Sequence, residues 1–154
     1  MPMKRVGLSL LVIVGLAVAP APGWATDASL KSALKPYKTR LTTDVAYLAG
    51  FKVPKKSAVG GVLKKLSKIT KDLQGAATAA NRNQASSNTG RQGRTQVLAG
   101  LHDATSAGAA ARACAKAVRS GKGSKAKTDH KQVQSNINKA IPLLESGGTK
   151  LKLF

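Results

Sequence analysis

The chain has 154 residues, 26 Lys and Arg against 6 Asp and Glu, a formal net charge of +20, one Cys and 3% aromatic residues. That length holds one modest domain rather than two. A lone Cys excludes a disulfide-stapled scaffold, and so few aromatics exclude the base-stacking platform of a single-stranded nucleic-acid binder.

The first residues read as a secretory signal. Lys4 and Arg5 form a positive n-region, Val6 to Ala19 an apolar h-region, and Gly23-Trp24-Ala25 a small-x-small cleavage site, so cleavage is expected after Ala25. The apolar run falls short of the roughly 20 residues that span a bilayer. Lys4-Arg5 is not a twin arginine, which favours general secretion of an unfolded chain. The expected organisation is a signal peptide over 1–25 and a single helical domain over 26–154, secreted or associated with the cell envelope. From Thr26 onward 25 residues are Leu, Ile, Val or Phe and 21 are Ala. Ala favours helix but buries little area, so the fold should be strongly helical and thinly cored.

Four amphipathic segments follow, at about 27–51, 54–82, 95–119 and 129–146. In the first, Leu30, Leu34, Tyr37, Leu41, Val45 and Leu48 recur at steps of three and four, which marks one helix face. Thr26 or Asp27 can cap its start and Gly50 its end, and Pro36 predicts a kink or a fresh helix start. Pro54 suits the first position of the second segment, whose stripe is Val59, Val62, Leu66, Ile69, Leu73, Ala76 and Ala80. The run 81–93, NRNQASSNTGRQG, reads as the long loop. Arg82, Arg91 and Arg94 make it a secondary candidate for anion binding.

The third segment carries Val97, Leu101, Ala104, Gly108, Ala111, Ala115 and Val118, a stripe of mostly small residues that predicts close helix approach. Gly121 ends it, and 120–127 reads as a flexible basic connection. Thr128 or Asp129 can cap the fourth segment, whose face is Val133, Ile137, Ala140, Ile141 and Leu144. Pro142 predicts a kink or early stop and Gly147-Gly148 the end. The tail 149–154, TKLKLF, reads as an apolar latch, with membrane or partner contact as the functional alternative. Together these segments predict an all-α, four-helix, up-down bundle.

No catalytic or cofactor motif emerges. His102, Asp103, Cys114, Asp129 and His130 show no recognised ligand spacing, so no metal or haem site is expected. The six acids are dispersed, which does not support paired-carboxylate hydrolysis. Asp44, at the edge of the first stripe, is expected to pair with Arg40 one turn away. Cys114 reads as a small buried hydrophobe, with a reactive or intermolecular thiol as the alternative because Arg112 and Lys116 could favour the thiolate.

The positive feature is cationic. Lys52, Lys55, Lys56, Lys64, Lys65, Lys68 and Lys71 cluster around the second segment, and Lys122, Lys125, Lys127 and Lys131 around the last connection. Flexible ammonium groups suit diffuse polyanions better than planar bidentate recognition. Secretion ranks nucleic acid below anionic envelope polymers and lipid headgroups as partners. Non-enzymatic binding of such surfaces is the leading expectation. A membrane-active, toxin-like helical protein and a carrier of an apolar ligand between the helices are the alternatives.

Overall fold

The computed structural model describes residues 26–153, and every regular element among them is helical. The signal peptide expected over 1–25 lies outside the described residues. Helix α1 (Asp27–Leu34), a 3-10 turn (Lys35–Tyr37) and helix α2 (Lys38–Ala49) form the first segment. Thr26 caps α1 through a capping box, its Oγ1 accepting from the Ser29 amide at 3.1 Å while Ser29 Oγ accepts from the Thr26 amide at 3.1 Å. Pro36 lacks an amide hydrogen and crowds the carbonyl four residues back. The chain absorbs this with the 3-10 turn and continues as α2, so the helix is interrupted where Pro36 predicted.

Helix α3 (Val59–Arg82) begins one turn beyond Pro54, after a 3-10 turn over Lys56–Ala58. Val59, Leu66, Ile69, Leu73, Ala76 and Ala80 of its stripe are buried, and Val62 is half-buried. Helix α4 (Asn88–Arg119) starts well before residue 95, which reduces the expected long loop to a short link around Asn83–Ser87. Ser87 caps it, its Oγ accepting from the Gly90 amide at 2.8 Å. Helix α5 (Gly123–Lys150) starts before residue 129 and runs on through Pro142, Gly147 and Gly148. Pro142 is exposed, so the break in hydrogen bonding falls on the solvent face while Ala140 and Leu144 keep the inner face packed.

The glycines that read as loop or terminator are sites of backbone contact. A Cβ on Gly93 would lie 2.9 Å from Leu151 Cγ, one on Gly100 2.7 Å from Leu144 Cγ, and one on Gly147 2.8 Å from both Gly93 O and Val97 N. Gly93, Gly100, Ala107 and Cys114, spaced by seven, are all buried along α4. They form a second small-residue stripe beside the predicted one, so α4 is covered on a wide face by both α3 and α5. The tail acts as a latch: Leu151 is buried, Leu153 packs on the core, and the Leu153 amide donates to Gly148 O at 2.8 Å.

Asp27, a candidate cap for α1, instead ties α1 to the start of α4. One carboxylate oxygen accepts from the Ser86 and Ser87 amides at 3.0 and 3.2 Å, and the other takes the Ser87 hydroxyl. The Ser87 hydroxyl and amide hold this carboxyl below its usual range.

Glycine substitutions test the close approach by sign. Gly147→Ala gains helix propensity of about 1 kcal/mol but must displace backbone atoms, and is expected to destabilise by about 1–3 kcal/mol. Gly61→Ala, where a Cβ would meet nothing within 4 Å, is expected to stabilise by up to about 1 kcal/mol. Urea unfolding followed by circular dichroism reads both.

Candidate functional site

The two lysine clusters, separate in sequence, meet at one end of the fold. Helix α2 stops at Gly50, and the next residue, Phe51, turns into the core. The Phe51 carbonyl accepts from His130 Nε2 at 2.9 Å and Gln134 Nε2 at 3.4 Å, both on α5. Since a carbonyl only accepts, Nε2 of His130 carries its proton. The Phe51 ring stands edge-on to Tyr47 at 6.3 Å and lies against the His130 ring at 6.1 Å. These contacts hold Phe51, from which the stretch 52–56 continues, against α5 two to three turns from its start. Arg112 Nη2 donates to Leu66 O at 3.3 Å, which sets the last turns of α4 beside the first turns of α3.

Lys55, Lys56, Lys64 and Lys65 therefore share this end with Lys122, Lys125, Lys127 and Lys131, and with Lys52, Lys116 and Arg119; all are exposed. Lys68 and Lys71 are exposed too but run down the outer face of α3, Lys71 about 18 Å from the helix start at 1.5 Å per residue. Lys65 Nζ sits 4.0 Å above the Tyr47 ring, a cation–π contact, and Lys125 Nζ pairs with Asp129 at 3.2 Å.

Helix dipoles do not add to this charge, because the starts of α3 and α5 share the end with the carboxyl-terminal ends of α2 and α4, whose partial charges are opposite in sign. The starts of α3 and α5 have no side-chain cap and no acid in the first turn. An amino-terminal helix end carries partial positive charge and ordinarily attracts acids. Here lysines surround both, whereas the opposite end of the fold has the Thr26 and Ser87 caps and Asp27.

Of the three arginines around the 81–93 stretch, Arg94 and Arg91 bond the link itself, while Arg82 is exposed at the end of α3. Arg94 Nε donates to Ala80 O at 2.7 Å and Asn83 O at 3.2 Å, and its Nη2 to Asn81 O at 3.2 Å, closing the free carbonyls at the end of α3. Arg91 Nη1 donates to Ser86 O at 2.7 Å, and its Nη2 bonds Asn88 Oδ1.

The expected Arg40–Asp44 pair is replaced by a longer reach. Arg40 Nη1 bonds Asp72 Oδ1 on α3 at 3.4 Å, while Asp44 is buried with no hydrogen-bond partner for Oδ2. Burial pushes the Asp44 carboxyl up, and the Asp72 charge adds to it; Lys68, Lys65 and Arg40 offset part of the rise. Cys114 is fully buried, and burial followed by the Asp129 charge raises its thiol, so Arg112 and Lys116 do not make it a ready thiolate. Among the described residues, no group of three or more His, Cys, Asp or Glu is placed to hold a metal ion. No described helix is long and apolar enough to cross a membrane.

An apolar groove of about 640 Å³ runs between α2 and α5. Leu41, Val45, Ala49, Ile141 and Leu144 line it, with Glu145 on one wall. Comparison with known protein families, characterised proteins and solved structures found no match for the chain.

Asp44 gives a pH test. Its folded carboxyl lies above its unfolded value, so its contribution to stability is present below the ordinary carboxylate range and lost as pH rises through the folded value. Asp44→Asn should therefore match the parent near pH 3 and exceed it in thermal stability at pH 7. Melting curves across that interval check the crossing.

Proposed function

We propose that this chain is a non-enzymatic, extracytoplasmic protein that holds anionic polymer or membrane surfaces by one lysine-rich end. The observation carrying this reading is that lysines from the start of α3 and the start of α5 share one end with two uncapped helix termini. Converging point charges create a field that a diffuse polyanion can neutralise without a fixed geometry. We read the scaffold as an up-down four-helix bundle, with α1 and α2 counted as one interrupted helix. Arg112 against Leu66 and Arg94 against Ala80 support opposite directions for α3 and α4, and Gly93 against Leu151 and Gly100 against Leu144 do the same for α4 and α5. The signal-like first 25 residues support export, and export ranks envelope polymers and lipids above nucleic acid.

The α2–α5 groove favours a second reading, carriage of a small apolar ligand. Binding of neutral Nile red would support it, and Ala46→Glu, on the groove wall, should then weaken the dye by about fivefold or more, the order expected for placing a charge against an apolar ligand.

The leading reading predicts a position effect at constant net charge. Replacing Lys55, Lys56, Lys122 and Lys127 by Gln should weaken polyphosphate binding by at least about tenfold, or about 1.4 kcal/mol. Replacing Lys31, Lys35, Lys139 and Lys150, away from that end, should weaken it by less than about threefold, because charges beyond a Debye length of ~8 Å are screened. Fluorescence anisotropy with labelled polyphosphate at two salt concentrations measures both; equal losses would sink the reading.

A further inference from the structure

The lysine end also carries apolar surface that a soluble polymer would not use. Among the described residues Val53 is the large hydrophobic side chain left exposed, at 42%. Its neighbours constrain the link. Phe51 is locked inward through its ring and through its carbonyl, which His130 and Gln134 both hold. Pro54 then fixes its own φ and biases Val53 to an extended conformation.

Immediately after it, Ser57 to Leu63 is uncharged and lies between the pairs Lys55-Lys56 and Lys64-Lys65. Ala58, Gly60 and Gly61 of this run are exposed, and Cβ atoms built on the two glycines would meet nothing within 4 Å. Leu63 is half-buried yet does not join the hydrophobic core cluster, unlike Val62 beside it. Exposed apolar and backbone surface is thus flanked along the chain by lysines on both sides. A polyanion satisfies the lysines alone, whereas an anionic bilayer satisfies both, headgroups meeting the lysines and the interface taking the apolar side chains.

We propose that this end docks on an anionic lipid bilayer, with Val53 and Leu63 entering the headgroup–acyl boundary and the flanking Lys52, Lys55, Lys56, Lys64 and Lys65 meeting the headgroups. The inference rests on the electrostatic reading above and narrows it to one partner.

The test uses the full chain with Trp24→Phe, so that one introduced indole reports alone. Val53→Trp and Leu63→Trp probe the docking end, and Thr78→Trp, at an exposed site further along α3, is the comparator. With phosphatidylglycerol vesicles, the indole emission of the Val53→Trp and Leu63→Trp variants should move to shorter wavelength, and brominated acyl chains should quench it at least about threefold more than in the Thr78→Trp variant. Soluble polyphosphate should bind in a salt-sensitive way without shifting the emission of any variant. Circular dichroism verifies that each variant keeps its helix content, and either probe alone suffices if the other unfolds. If polyphosphate binds but neither docking-end probe shifts or is quenched on vesicles, the bilayer inference is overturned while the electrostatic reading stands. If polyphosphate does not bind, both fall.

Discussion

The close approach of α4 and α5 is the constraint on which the rest of the structure depends. With few large apolar residues available, the chain cannot gain enough by filling space with Leu and Phe. It brings backbones together instead, through Gly93, Gly100 and Gly147, where even a methyl group would collide. Close contact recovers dispersion energy that small side chains would otherwise forfeit across a gap. It also explains the unusual length of both helices, because glycines in contact with a partner helix do not end the segment that carries them. Once α4 and α5 are joined in this register, α3 covers the second face of α4 and α2 lies against α5. The Asp27 carboxylate then pins α1 over the start of α4.

The same arrangement divides the polar chemistry between two ends. At one, the donors and acceptors answer each other locally: Thr26 with Ser29, Asp27 with Ser86 and Ser87, Arg94 with the last carbonyls of α3. At the other, two helix starts lack side-chain caps and lysines crowd around them. Such an end is self-repelling, and an anionic surface would relieve the repulsion. Local hydrogen-bonded closure and concentrated positive charge thereby fall in different parts of the described residues.

Buried polar groups show where that division is incomplete. Asp44 sits between α2 and α3 with one oxygen unpartnered, near Lys65 and Lys68 but also near Asp72. Arg40 has gone to Asp72, the more distant acid in sequence, because the packing of α2 on α3 brings that carboxylate within reach. Lys65 meanwhile stacks on Tyr47 and so fastens the lysine-rich end to the same interface.

The sequence by itself determined that the described chain is helical, since the three-and-four spacing of Leu30, Leu34, Leu48, Leu66, Ile69, Leu73 and Leu101 admits one face and all of these are buried. It also marked the interruption at Pro36, whose missing donor acts within a single turn. Both are local effects of backbone geometry and apolar period, and local effects are legible in residue order. Helix limits around glycine were not, because a Gly looks the same whether it ends a helix or lets another helix touch it. Gly90, Gly93 and Gly147 read as loop or stop, yet they are buried within helices; the seven-residue spacing of Gly93, Gly100, Ala107 and Cys114 was the available signal. Two lysine clusters were visible in the sequence, but their placement toward one end was decided by tertiary contacts, His130 and Gln134 on the Phe51 carbonyl and Arg112 on Leu66. Surface charges carry no packing instruction of their own, so only the buried contacts beneath them decide which of them become neighbours.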